Sequence, residues 1–143
     1  DVSTAPGCIQ RPRVPFVVAA NGPRAMGVVA RHGAGWVTTG PANATDADDW
    51  WNGVEALAKR LDEVLTTHGR DPQTVDRYLS LDSGPEFSLD SVATFSEAVR
   101  RADQLGFGDV IAHWPRTHDP DGPYSGDVAV LERVAAEVLP AYR

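Results

Sequence analysis

The sequence predicts an α/β protein made of four consecutive βα units, and three observations carry that prediction. Short strand-like runs recur near Phe16, Trp36, Arg77 and Asp109, each followed by a stretch with one apolar stripe at helical spacing. The connections after strands are long and polar, at 41–49, 83–91 and 115–126. Two of the three returns after helices are three-residue glycine turns instead. Such alternation demands parallel strands with right-handed crossovers. Two architectures satisfy it: a small doubly wound parallel sheet, or half of a (βα)8 barrel. Both place their ligands at the C-terminal ends of the strands, where the long loops are.

Residues 1–15 carry three prolines and few periodic apolar residues, and read as an extended lead-in containing the single cysteine, Cys8. The domain runs over 16–143. Phe16 to Ala20 is a continuous apolar run, which suits a strand covered on both faces. Asn21-Gly22-Pro23 stops it, with Pro23 suited to a first helical position. Ala25, Val28, Val29 and His32 then share one helical face, Gly33 and Gly35 end the helix, and Trp36 to Thr39 forms the second strand.

The second helix is expected from about Trp50 to His68, with Val54, Leu57, Ala58, Leu61, Val64 and Leu65 inward and Gly69 at its end. Glu55 and Lys59 make an i, i+4 pair in the favourable order. Arg77 to Asp82 alternates strictly, placing Leu79 and Leu81 on one side and Tyr78, Ser80 and Asp82 on the other. Ser91 is an N-cap candidate for a third helix that ends before Gly106 and buries Val92, Phe95, Ala98, Val99, Ala102 and Leu105. The fourth strand runs from Asp109 to about Trp114, and a last helix near 127–142 buries Leu131, Val134, Ala135, Val138 and Leu139, with an irregular last turn at Pro140.

Composition narrows the function. With 143 residues, 42% hydrophobic and 23% charged, the chain has the size and balance of one globular domain. A net charge of −7 argues against nucleic acid and against anionic membranes as partners. No apolar run approaches the ~20 residues of a spanning helix. Nothing at the start reads as a signal peptide, and one cysteine builds neither a disulfide framework nor a Cys-based metal site. A reducing cytoplasm is the expected location. Asn43-Ala44-Thr45 fits the glycosylation pattern, but no secretory signal accompanies it.

The segment AANGPRAMGVVARHGAGWVTTG, Ala19 to Gly40, resembles bacterial luciferase-like monooxygenases and their deazaflavin (coenzyme F420) dependent relatives, in which a strand ends in a Gly-Gly-Pro or similar turn. Asp109 to Pro115 and the closing helix also resemble that family's C-terminal end, so the similarity runs from about Arg11 to Arg143. The resemblance implies the C-terminal half of a (βα)8 barrel without its first half, an oxidoreductase or monooxygenase function, and coenzyme F420 or FMN as cofactor. It also implies that most catalytic residues lie in the missing half. A homodimer or a complementing N-terminal half-barrel would then close the barrel around a small-molecule substrate. The alternative is a non-catalytic half-barrel that binds a phosphorylated ligand or a partner chain.

Candidate site residues follow from the strand ends. Ala20 and the turn Asn21-Gly22-Pro23 bring backbone N–H groups to a helix N-terminus, where the dipole and the unsatisfied donors suit a cofactor phosphate. Asn21 stands where the family commonly has glycine, so it supplies either a left-handed conformation or a side-chain contact. Thr38 and Thr39 are expected on the same face of the second strand's end, and Thr39 matches a substrate-contacting position in relatives that bind a sugar phosphate. Asp82 reads as a cap of the following turn or as a substrate-orienting carboxylate. His113, before Trp114, reads as a half-buried histidine or as an acid–base group. His32 reads as structural, His68 as a helix C-terminal residue and His118 as loop. No histidine pair has metal-ligand spacing, and Asp46, Asp48 and Asp49 look like a solvated helix start.

Overall fold

The structure, a computed structural model, describes residues 9–11 and 13–142, so Cys8 and most of the expected lead-in lie outside the described residues. Four strands alternate with four helices: β1 (Val17–Ala19), α1 (Pro23–His32), β2 (Gly35–Thr38), α2 (Ala47–Thr67), β3 (Asp76–Ser80), α3 (Val92–Gln104), β4 (Asp109–Ile111) and α4 (Val128–Glu137). Short 3-10 turns lie at Pro72–Thr74, Leu81–Ser83 and Leu139–Tyr142. All neighbouring strands are parallel and their order is β1-β2-β3-β4.

That order decides between the two expected architectures. A doubly wound sheet reverses its strand order at a switch point and carries helices on both faces. Here the order never reverses, and one core cluster joins Trp36 and Leu79 of the sheet to Met26 and Val29 of α1, Leu61 of α2, Phe95 of α3 and Val134 of α4. The helices therefore cover one face. This is the singly wound arrangement that four units of a (βα)8 barrel have.

Register shows what each face carries. Val18 pairs with Trp36 and Trp36 with Arg77, while Thr38 pairs with Leu79 and Leu79 with Val110, so these residues point toward the helices. Arg77 reaches across that layer to the carboxylate of Asp62 on α2. The other face presents Val17, Ala19, Val37, Tyr78, Ser80 and Ile111, of which Val17 is 50% and Ile111 45% exposed. The expected two-sided cover of the first strand is thus absent, and the strand is shorter than Phe16 to Ala20. Its apolar outer residues face an open side because no element of the described residues packs there.

Other expectations shift by a fraction of a turn. In α1 the buried residues are Met26, Gly27, Val29 and Ala30, whereas Val28 and His32 are exposed. Met26, whose long flexible side chain fills the gap, pulls the inward stripe about one residue round the helix. Asp46 accepts from the Asp49 N–H at 2.8 Å and starts α2 a turn earlier than Trp50. Ser91 caps α3 as expected, accepting from the Thr94 N–H at 3.0 Å; such caps stabilise by about 1 kcal/mol each. Asp127 caps α4, which buries Val134 and Val138 but leaves Ala135 and Leu139 exposed. β3 and β4 both end earlier than expected, and Leu81 to Ser83 turns into a 3-10 bend.

Candidate functional site

The C-terminal strand ends carry two side-chain brackets, one tying β1 to β2 and one tying β3 to β4. In the first, Asn21 Nδ2 donates to the Gly40 carbonyl at 2.9 Å and to Thr39 Oγ1 at 3.2 Å, while its Oδ1 accepts from Thr38 Oγ1 at 2.6 Å. Thr38 Oγ1 in turn accepts from the Gly40 N–H at 3.1 Å. Among the described residues no non-glycine residue has a positive φ, so Asn21 acts by side-chain contact and not by left-handed geometry. Gly40, at φ +72°, completes the bracket by taking the conformation that disfavours a side chain. Thr38 is buried and Thr39 exposed, so the two threonines do not share a face. Consecutive strand residues alternate, and only Thr39 is open to a ligand.

Beside this bracket the chain enters α1. Gly22 is the N-cap in an extended conformation (φ −107°, ψ 157°), Pro23 follows inside the first turn, and no side chain caps the helix. The first-turn N–H groups have no partner within the helix and carry its positive dipole end. A side chain built on Gly22 would meet nothing within 4 Å, so open space lies in front of those donors. Ala20 is engaged on both sides: its N–H donates to the Val37 carbonyl at 3.1 Å and its carbonyl accepts from Trp36 Nε1 at 2.6 Å. It positions the turn and offers no free group of its own main chain.

A groove of about 350 Å³ adjoins the bracket, walled by Asn21, Gly40 and Pro41 on one side and by Gly53, Leu57 and Arg60 of α2 on the other. Gly53 is what brings α2 so close, since a Cβ there would stand 2.4 Å from Pro41 Cγ. Neither Arg60 nor Arg24 of the first α1 turn has a hydrogen-bonded or ion-paired partner among the described residues. In a chain of net charge −7, two uncommitted guanidinium groups near one helix N-terminus make this end locally suited to an anion.

The second bracket is the carboxylate of Asp82, whose side chain is fully buried. Its Oδ1 accepts from the Ser88 N–H at 2.8 Å and its Oδ2 from the His113 N–H. The same Oδ2 lies 3.4 Å from His113 Nδ1, within ion-pair range but not aligned as a hydrogen bond. Asp82 therefore caps the turn after β3, and its carboxylate also lies beside the imidazole that follows β4. Tyr124, from the long loop after β4, stacks on His113 at 4.0 Å with rings 4° from parallel. Phe87 lies 5.9 Å from the same ring, and Arg116 covers it at 5.1 Å.

His113 is thus stacked on Tyr124 beside a buried carboxylate, with its side chain 42% exposed. Sequence reasoning treated Asp82 and His113 separately and did not single out Tyr124. The only available signal was one aromatic residue inside a loop otherwise rich in Pro, Gly and Asp. Trp114 projects outward, 67% exposed, and takes no part.

The remaining histidines stand apart. His68 Nδ1 contacts the Val64 carbonyl at 2.8 Å at the C-terminus of α2, while His32 and His118 are exposed. Among the described residues, no three His, Cys, Asp or Glu side chains are placed to hold a metal ion, and no helix is long and apolar enough to cross a membrane. No model of a known protein family matches the sequence, and no curated protein matches it either.

Proposed function

We propose that the chain is the phosphate-holding half of a luciferase-like (βα)8 oxidoreductase, taking coenzyme F420 or FMN. The observation that supports this reading is the open N-terminus of α1 at Asn21-Gly22-Pro23, beside a groove that Arg60 lines. The first-turn N–H groups would hold the cofactor phosphate, with Arg24 and Arg60 adding charge and Thr39 Oγ1 facing the substrate side. The bound cofactor supplies the hydride chemistry. This chain's own contribution is to bind the anion, to keep Gly22 clear of it and to hold His113 near the same strand ends. Its place of action would be the cytoplasm.

The open sheet face favours a second component. Val17 and Ile111 lie half exposed on it, and β1 and β4 leave unpaired edges. A complementing N-terminal half-barrel or a second copy of this chain would cover that face and pair those edges. A non-catalytic half-barrel that binds a phosphorylated ligand remains the second reading.

The deciding titration uses FMN and coenzyme F420 separately against wild type and Gly22→Val, with inorganic phosphate as competitor. Wild type should bind in a phosphate-competed manner. Gly22→Val should bind about tenfold or more weakly, as one or two charge-assisted hydrogen bonds are obstructed, with its thermal midpoint unchanged. Equal affinities would remove the turn from the site. Binding without oxidation of the reduced cofactor, even after a complementing half is supplied, would favour the non-catalytic reading.

A further inference from the structure

A second recess lies behind the strand-end brackets, between the start of α2, the loop after β3 and the middle of α3. It is a cleft of about 150 Å³, bounded by Trp50, Trp51, Leu81, Ser88, Ala98 and Arg101. Two observations there are not accounted for by the fold. Ser88 is only 3% exposed, yet its Oγ has no hydrogen-bond partner. A buried hydroxyl in that state costs free energy unless something reaches it. The two indoles, meanwhile, stand edge to face at 4.9 Å and give the cleft flat apolar walls.

The guanidinium in the cleft wall is already matched, and Glu86, also in the lining, is exposed to solvent. Arg101 lies 3.2 Å from Asp48 and 3.7 Å from Glu97, and its guanidinium covers the Trp51 ring at 5.4 Å. A charged guest would compete with these pairs, whereas a neutral one leaves them intact. The volume equals that of a cavity that holds one benzene-sized molecule. From aromatic walls, a guanidinium already paired and one unpaired hydroxyl, we infer that this cleft binds a small neutral arene bearing a hydroxyl group, the ring lying against the indoles and the hydroxyl on Ser88 Oγ.

The site is separate from the α1 turn but touches both brackets. Ser88 supplies the N–H that holds Asp82, and Trp50 Nε1 donates to the Thr39 carbonyl at 3.3 Å. An occupant would therefore stiffen the loops on either side of the strand ends.

The test is a titration of the whole chain with phenol and with toluene, which differ by the hydroxyl, followed by the amide and indole N–H resonances. Phenol should shift the Trp50 and Trp51 indole signals saturably and bind about fivefold more tightly than toluene, the worth of one ordinary hydrogen bond. Ser88→Ala removes an unpaired buried hydroxyl and so should fold normally. It should bring the phenol-to-toluene ratio to about one without changing toluene affinity. Ala98→Leu should fill the cleft and abolish both. Shifts that do not saturate, that map elsewhere, or a ratio unchanged in Ser88→Ala would overturn the assignment.

Discussion

Asp82 and His113, 31 residues apart and on neighbouring strand ends, are joined through the backbone and through the ring: one carboxylate oxygen accepts the His113 N–H and lies 3.4 Å from its Nδ1. The backbone contact fixes where β4 ends relative to β3, and stacking on Tyr124 orients the imidazole. A turn cap and a contact with the imidazole thus share one carboxylate. Asp82→Ala would leave the Ser88 and His113 N–H groups without their acceptor. Urea denaturation should record a loss of roughly 2–6 kcal/mol, from two orphaned donors at about 1–3 each. His113→Ala keeps both donors paired and should lose far less. Comparable losses would mean that ring contacts, not the carboxylate, hold this corner.

Gly40→Ala should be among the most damaging small substitutions in the chain. Its φ of +72° disfavours a side chain, and the new Cβ would stand 2.5 Å from Nε1 of the buried Trp50. Left-handed strain and overpacking together predict a loss of about 2–4 kcal/mol. The same experiment reads the first bracket, because Gly40 supplies both the N–H bonded to Thr38 and the carbonyl bonded to Asn21.

Gly53→Ala tests whether tertiary contact overrides helix propensity. In an exposed helix interior the change would stabilise by about 1 kcal/mol. In α2 the added methyl would sit 2.4 Å from the Pro41 ring, which is rigid, and overpacking of this kind costs about 1–3 kcal/mol. Thermal melts should therefore show a small net destabilisation, and a stabilised variant would show that the loop at Pro41 yields freely.

Arg70 closes the C-terminal end of α1 from a distance. Its Nη1 donates to the Gly33 carbonyl at 2.6 Å and to the Val29 carbonyl at 3.1 Å, while its Nε donates to Thr74 Oγ1 at 3.1 Å. Arg70→Ala should lose about 1–3 kcal/mol, as charge-assisted bonds to half-buried carbonyls are broken. Faster amide exchange should be confined to the end of α1 and the turn at 72–74. Uniformly faster exchange would assign Arg70 a global role instead.

Two surface pairs set an acid-side dependence. The guanidinium of Arg100 bonded to Glu97, and that of Arg133 bonded to Glu137, hold both carboxyls below the ordinary value of 4.5. A folded-state pKa below the unfolded one contributes stability that is present above the unfolded value and is lost as pH falls through the folded one. The dependence therefore lies below about pH 4.5. Both carboxyls lie at the surface, so the effect should be small and should shrink with added salt. In the variant carrying Arg100→Gln and Arg133→Gln, carboxyl titration by NMR should return both glutamates toward 4.5.

Periodic elements were the legible part of this chain. The apolar stripe of α2, the Ser91 cap, the glycine turn at Gly106 and the alternation in β3 depend on residues within a turn or two of each other, and each is found close to its expected place. Where the expectation moved, side-chain packing or a partner remote in sequence decided. His32 lies outward in α1 because Met26 fills the inner side, and Asp82 leaves the strand because Ser88 and His113 both claim its carboxylate.

Among the site residues, the role of Asn21 was open between two physical mechanisms, and its four-membered hydrogen-bond set with Thr38, Thr39 and Gly40 chose side-chain contact. The stacking of Tyr124 on His113 had no counterpart in any local pattern, since a loop aromatic carries no period. The sequence by itself determined four βα units, parallel strands and long polar loops at one end, because hydrophobic period and turn chemistry act over short distances. Only the tertiary structure decided that the strand order never reverses, that one sheet face stays open, and that Asp82 meets His113. Those outcomes depend on which segments pack against which, a competition among contacts far apart in the chain that local pattern does not encode.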